Sequence, residues 1–521
     1  MAANLTPPFR RRRRYGLTLG LLALIAPLAA ACSGGQSAGT SASATLTVGV
    51  ANDVTDWDPQ TSTSLGDQQV LENIYRGLTV LDPATKLPVG EIAKSWTVSR
   101  DQLTWTFYLR PTARFSTGKR VTPNDVVYSI DRILNPATHG TAASWLSPVK
   151  SVTAAGSDAV AFHLSQPYSL LPTALQLPAW SAIIPAGSAA TVAAHPVGAG
   201  PYMVASHTAQ QSIVLRRNPY YWNPALPHVK TVDIKIIPDA NSRLDALLSG
   251  QISLDNDIPL SDVKHFANSS RIKLDVFPSS EIDEFGMNAS KPPFSDVRVR
   301  QAVAYALNKP TIAQAATNGL GGVASTMVSK ASPIPVNVTD AIAHNVAKAK
   351  ALLAAAGYPH GFSLSFSACG GQAFPAMLNA GQVIANQLSA VGIHASFTTM
   401  DAGVWADQVI TKNAYQAFIC GLISGNDPDE HSYPYFSNKG LYNFSHYKAP
   451  AKLDQLLTAG REVVSPAQRA TIYDQAWTIL ASQVPWIPLY WMPGVVGTAP
   501  NVHGYASLPE LNMRLELISQ G

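Results

Sequence analysis

The chain has 521 residues, 46% of them hydrophobic, enough apolar material for more than one packed core. Its formal charge of +4 comes from the first 31 residues, which hold five arginines and no acids; the rest carries 32 basic against 33 acidic side chains. That near balance excludes a nucleic-acid surface, and no later uncharged run of about 18 residues suggests a membrane span.

Residues 10–14 are all arginine, and residues 16–31 are apolar and uncharged. They read as a signal peptide over 1–31, with a basic n-region and an h-region too short for a span. Cys32 follows Leu28, Ala29, Ala30 and Ala31. This run resembles a lipobox, whose cysteine receives a diacylglycerol and becomes the mature first residue. Ala29 stands where leucine is commoner, and an ordinary signal peptide cut near Ala31 is the alternative. The arginine run leaves both Sec and twin-arginine export open. Residues 32–44, rich in Ser, Gly, Ala and Thr, read as a flexible tether. Gly35, Ser37 and Gly39 match the G-x-S-x-G nucleophile elbow, but that motif needs a strand before it and a helix after it. A tether supplies neither.

Further along, residues 46–50 read as a strand, 71–75 as a helix and 77–81 as a strand. Residues 93–99 lead into 103–110, whose clean alternation predicts an antiparallel strand. A turn at residues 115–119 precedes a helix that opens at Pro123 behind a Thr122 cap. Residues 241–248 form a short amphipathic helix stopped at Gly250. An apolar strand pattern ends at Asn288, and Pro292-Pro293 makes a turn. A helix then opens at Asp296, whose carboxylate suits the N-cap. Val297, Val303, Ala306 and Leu307 supply its buried face, with Arg298 and Arg300 among the solvated positions. Residues 349–356 and 382–391 read as helices, 362–368 and 416–423 as strands. Strand and helix alternation over 362–423 argues for a parallel α/β sheet. No tandem repeat is present.

Residues 284–302 contain the string Asn288-x-x-x-x-Pro293-Phe294-x-Asp296-x-Arg298-Val299-Arg300-Gln301-Ala302. It closely resembles the signature of the peptide/nickel family (family 5) of extracytoplasmic solute-binding proteins, which feed ABC importers. The order Ala93-x-Ser95-Trp96, Phe107-x-Leu109-Arg110, Phe115-x-x-Gly118 and Thr122-x-x-Asp125-Val126 resembles a second long block of that family. Gly198-Ala199-Gly200-Pro201-Tyr202 and Trp486-Ile487-Pro488-Leu489 resemble later ones, with Ala199 where threonine is usual. Ser253 replaces a family acid. The similarity runs through nearly all of the mature chain.

The resemblance implies an α/β, two-lobed periplasmic-binding-protein-like fold (cluster C type) with an extra subdomain in the first lobe. Lobe I would hold 45–280, with the subdomain at about 86–190; lobe II would hold 285–485, and 490–521 would return to lobe I. Two crossings, near 280 and 488, would make a hinge. The resemblance further implies no catalysis and no cofactor. It implies a monomer held to the outer face of the cell membrane by its lipid alone. Its partners would be a peptide or peptide-like solute and ABC permease subunits. A non-transport surface receptor, or a binder of a sugar derivative, metal chelate or haem, is the alternative.

Carried over residue by residue, Asp255, Asn256 and Ile258 line the cleft from lobe I, with Asn256 touching peptide backbone. Trp405 walls the side-chain pockets, or is a core residue. Gly421, Leu422, Ile423, Ser424, Asn426 and Asp427 form the lobe II loop that grips the ligand. Peptide binders of the family often have aspartate where Ser424 stands, to hold the free ammonium. A buried ammonium without a carboxylate is costly. Either Asp427, Asp429 or Glu430 substitutes, or the ligand is a blocked, cyclic or non-peptide solute. With Cys32 lipidated, Cys369 and Cys420 are a disulfide candidate outside the cytoplasm. The resemblance puts them on neighbouring strands, and two separate buried thiols are the alternative. Against an enzyme, the chain has no H-E-x-x-H, no P-loop and no cysteine pair at zinc spacing. Asn426, Asp427, Asp429, Glu430 and His431 lack the glycine and terminal glutamate of an EF-hand loop. They read as a solvated loop, and no metal site is expected.

Overall fold

The computed structural model describes residues 45–176, 180–338, 342–369, 375–423 and 425–521. The signal, lipobox, tether and G-x-S-x-G readings, and the one on Ser424, lie outside the described residues.

Two long strands organise the molecule. Lys273–Met287 and Trp486–Thr498 pair antiparallel from Lys273↔Thr498 to Gly286↔Trp486. Both run through an eleven-stranded sheet. On one side the sheet continues through Leu254–Asp255, Thr45–Val50, Thr231–Ile236, Ser212–Arg217 and Tyr202–Thr208, which build lobe I. On the other side it continues through Ala417–Ile423, Ser363–Cys369 and His394–Met400, which build lobe II. In lobe II the strand Ser363–Cys369 is parallel to both neighbours. Parallel pairing requires a crossover, and the helix Pro375–Ser389 supplies one. The long ladder is interrupted between Pro278 and Ile282, and its last pair before the gap is Pro278↔Pro493. Proline carries no N–H for a ladder, so the sheet is weakest where the two strands pass between lobes.

Each lobe has its own cores. In lobe I, Leu46, Val48, Leu215 and Ile234 pack with Met513, Leu515 and Ile518 of the C-terminal segment. The subdomain is a four-stranded antiparallel sheet of Ala93–Val98, Thr104–Leu109, Ala159–Leu164 and Val149–Ala154. Phe107, Phe162 and Ile130 pack its core. Its helix Pro123–Leu134 starts at a capping box formed by Thr122 and Asp125, which satisfies two orphan N–H groups. Lobe II buries Leu364, Phe366 and Phe285 on one sheet face. On the other face it buries an aromatic cluster that includes Trp405, Phe418, Phe436, Trp477 and Trp486.

Several expectations are corrected. The first helix is Leu65–Leu71, capped by Ser64, not 71–75; its inward residues include Asp67, Gln68 and Gln69, so no apolar periodicity marks it. The crossover helix starts at Pro375, ahead of the expected 382. The helix at Asp296 spans Val297–Ala306 with Asp296 accepting from the Arg298 N–H. However, Arg300 is buried rather than solvated. It donates to the carbonyls of Phe294 at 2.8 Å and Gln483 at 2.8 Å, tying this helix to the end of helix Pro466–Gln483.

In lobe I, Arg76 is wholly buried. Its Nε donates to Glu91 at 3.2 Å and its Nη2 to Glu516 at 2.8 Å. Tyr221 and Trp222 also donate to Glu91, and Arg514 pairs with Glu516. Burial favours the neutral acid, yet Arg514 and Arg76 outweigh it and hold Glu516 below the ordinary glutamate range. Breaking such a network strands a buried charge. Arg76→Met is expected to cost about 3–5 kcal/mol of lobe I stability, read by urea unfolding. A loss under about 1 kcal/mol would refute this role.

Candidate functional site

The lobe II strands Ala417–Ile423 and Ser363–Cys369 end beside the long strand Lys273–Met287, and the carboxyl ends of strands are the usual ligand position in open α/β sheets. In lobe I the segment 255–258 follows the strand Leu254–Asp255, which pairs with Trp486–Thr498. Asp255 is fully buried and is held by Arg243 at 3.1 Å. Arg243 also donates to the carbonyls of Ile237, Pro238 and Asp257. Asp255 therefore shapes the loop from behind. Burial, partly offset by Arg243, moves its carboxyl up to about 6. Asn256 is half-buried and donates to Gln69 Oε1 at 2.9 Å; Gln69 in turn donates to the Leu511 carbonyl. Ile258 packs in the core with Leu247 and Val495, so its side chain serves packing. Arg243 and Gln69 were missed, and only partners distant in sequence reveal them.

From lobe II, Gly421, Leu422 and Ile423 end the strand Ala417–Ile423, with exposure rising to 41% at Ile423. Directly opposite on the hinge strand, Asp283 faces Gly421 and Glu281 faces Ile423. Trp405 is buried, with its ring 5.3 Å from that of Phe418 in an edge contact. It belongs to the aromatic core, although its indole N–H has no partner among the described residues.

The polar run after the loop is not solvated: Asn426, Asp427, Asp429, Glu430 and His431 are all buried. Arg469 clamps Asp427 through both oxygens. Asp429 meets Arg461 at 3.1 Å and accepts from Tyr473. Neither aspartate is free to receive a ligand ammonium. Burial, reinforced by Asp427 and Glu510, pushes the Glu430 carboxyl far up. Burial also lowers His431 to about 4, so its imidazole is neutral. Among the described residues no group of His, Cys, Asp and Glu has a metal-holding arrangement.

The lobes touch at several points. Asn426 of lobe II donates to Glu510 of the returning C-terminal segment at 3.0 Å. The Ser169 N–H and hydroxyl of the subdomain both donate to the Arg461 carbonyl. The Arg461 guanidinium sits 5.1 Å from the Tyr168 ring and 4.0 Å from the Tyr433 ring. Beside them a cavity of about 330 Å³ opens between Trp145 and Gln166 of the subdomain and Tyr442 and Arg461 of lobe II.

Cys369 ends its strand beside Cys420, which lies in the middle of the neighbouring parallel strand, with their sulfurs 2.7 Å apart as free thiols. Glu284, opposite Cys420, is fully buried, and neither of its oxygens has a hydrogen-bond partner among the described residues.

The comparisons with known proteins agree with this architecture. Residues 88–443 match the model of the bacterial extracellular solute-binding proteins, family 5. The chain belongs to that family, whose members work with ABC importers. It is similar to the glutathione-binding protein GsiB of Escherichia coli O1:K1 / APEC, with 28% identity over 90% of this chain and 93% of that protein. Among solved structures it is similar to the PBP AgaA of A. tumefaciens R10 in complex with agropinic acid. There the identity is 27% and the TM-score 0.79, covering 92% of this chain and 99% of that one. AppA of Bacillus subtilis, in complex with a nonapeptide, shares the fold at 23% identity and a TM-score of 0.77, covering 92% of this chain and 99% of that one.

Glu510 supplies a pH prediction. Burial pushes its carboxyl up to about 7 despite Lys86. Below about pH 4.3 it is protonated in both folded and unfolded states. As pH rises to about 7 the unfolded chain ionises first, so the folded state loses stability over that window. Glu510→Gln removes this slope. Its Tm relative to wild type should rise between pH 5 and pH 8, by at least about 2 °C. An unchanged difference across the scan would contradict the assignment.

Proposed function

We propose that the protein captures peptides or peptide-like solutes in the interlobe cleft and presents them to an ABC permease. The observation that carries this reading is the family similarity across both lobes, joined to a cleft offering backbone-binding groups. The half-buried Asn256 amide and the side of residues 421–423 away from Lys273–Met287, which has no strand partner among the described residues, are suited to peptide N–H and C=O groups. The relatives support the ligand class: GsiB is named for glutathione, itself peptide-like, and AppA is seen with a nonapeptide. In this reading Gly421, Leu422, Ile423, Ser424 and Asn426 grip the ligand, while Asp427 acts from inside lobe II as the loop's anchor. Asp255 acts likewise in lobe I. Binding does not transform the solute.

A ligand that contacts both lobes binds the closed form best and shifts the population towards it. Titration calorimetry with glutathione and a tripeptide set, followed by small-angle scattering, tests this. The expected result is saturable binding by at least one member, an unaltered solute on recovery, and a smaller radius of gyration. At a hundredfold excess over Kd the stability should rise by about 2.7 kcal/mol. Binding without compaction, or recovery of a cleaved product, would overturn it.

The same proposal includes an anchor and a bond. The lipobox-like run supports diacylglyceryl attachment at Cys32, holding the protein at the outer face of the membrane. Adjacency of Cys369 and Cys420 in the sheet supports a disulfide beside the ligand loop. Oxidation would release two protons and pass two electrons to a disulfide-bearing oxidant by thiol exchange. Intact mass spectrometry of detergent-extracted protein reads both. The expected mass corresponds to a chain starting at a lipidated Cys32 and gains two hydrogens on reduction. An unlipidated start, or no change on reduction, would dismiss the corresponding half.

A further inference from the structure

We infer that Glu281 and Asp283, on the hinge strand above Gly421, form a receptor for a cationic group of the solute, such as a primary ammonium. This rests on the peptide-like reading of the ligand and adds a chemical requirement to it.

The argument begins with geometry. Glu281, Asp283, Gly421 and Ile423 share one face, because directly opposed residues of an antiparallel pair point the same way. Asp283 is 1% exposed. One of its oxygens accepts from the Tyr490 hydroxyl. The other, Oδ1, has no partner among the described residues. It is aimed at the space over Gly421: a Cβ on that glycine would lie 2.5 Å from Asp283 Oδ1 and 3.4 Å from Glu281 Oε1. Only glycine keeps this space open. Glu281 is half-buried and Ile423 opposite it is exposed, so the pair meets solvent on this side.

The charge balance points the same way. None of Glu281, Asp283 and Glu284 has an ion-pair partner among the described residues. What faces the pair is Tyr490, Met377, Cys369 and, across the cleft, the exposed Asp257 of lobe I. Asp257 adds further negative charge, tempered by Arg243 at 3.2 Å. Burial pushes both carboxyls upward, and the charge of Asp283 adds to the rise at Glu281. Unpaired buried carboxylates destabilise a fold, and a bound cation is the ligand chemistry that relieves them. Of the alternative acids of the loop, Asp427 is taken by Arg469 and Asp429 by Arg461, and the buried Glu430 accepts from the Asp427 N–H.

The test uses two synthetic tripeptide libraries and native mass spectrometry of the full-length mature protein. One library has free amino termini; the other is N-acetylated and lacks lysine and arginine. Wild type is expected to retain free-amine members over their acetylated counterparts by about ten- to a hundredfold. Glu281→Gln/Asp283→Asn should lower that preference by about tenfold or more. The same variant should melt higher than wild type without peptide, the reverse of what loss of a packing role would do. Gly421→Ala, which pushes a methyl against Asp283 Oδ1, is a second variant that should weaken the preference should the first fail to fold. Equal retention of both libraries by wild type, or a preference untouched by the variants, overturns the receptor while leaving peptide binding standing. Retention of neither library defeats the peptide reading and the receptor with it.

Discussion

The pairing of Lys273–Met287 with Trp486–Thr498 is the constraint on which the rest depends. These strands carry one ladder through both lobes, and that ladder lapses at Pro278↔Pro493. Hydrogen bonds on either side keep each lobe rigid. In the gap, Ser279 turns its hydroxyl to the Met492 carbonyl, and Ser280 turns its N–H to the Pro509 carbonyl. Because the backbone polar groups of the gap are satisfied locally, changing the angle between the strands need not expose buried ladder groups. This is the kind of element from which hinge motions are built.

The same strand explains why charge collects beside the hinge. Beyond Ile282 one face of Lys273–Met287 enters the core through Phe285 and Met287. Just before that, the alternation places Glu281 and Asp283 on the face that meets Gly421. A binding protein cannot bury apolar groups there without sealing its own cleft. Stability is given up at these acids and supplied elsewhere, by fully paired clusters such as Arg76 with Glu91 and Glu516 and Arg469 with Asp427. Destabilised polar groups gathered at a site, with compensation in the surrounding fold, are the ordinary signature of function.

Much of this was legible in the sequence because the signals are local. The N-cap at Asp296, the capping box at Thr122 and the stop at Gly250, which has a φ of +77°, depend on neighbours a few residues away. The parallel order of the lobe II strands follows from alternation with helices. The illegible features are polar residues whose burial depends on distant partners. Asp427 looks like a loop acid until Arg469, 42 residues on, is seen to clamp it. Arg300 looks solvated until Gln483 and Val484 present their carbonyls. Ile258 reads as cleft by position, yet the core around Leu247 claims it. Part of the candidate site therefore consists of side chains that the fold packs inward, among them Asp255, Ile258 and Asp427.

The C-terminal segment has a consequence for how the protein is made. Leu511 accepts from Gln69, Leu515 donates to Asn73, and Met513, Leu515 and Ile518 fill the core first laid down by residues 46–74. The opening strand of lobe I thus waits for the last residues of the chain. During vectorial synthesis, lobe II, continuous in sequence between its two crossings, has all its parts before lobe I does. The first half of lobe I is made without its closing layer, and the contacts that complete it are among the most non-local in the chain. The N-terminal half therefore stays an open sheet without its closing layer until its own tail has been made, and the core of lobe I is the last in the chain to lock.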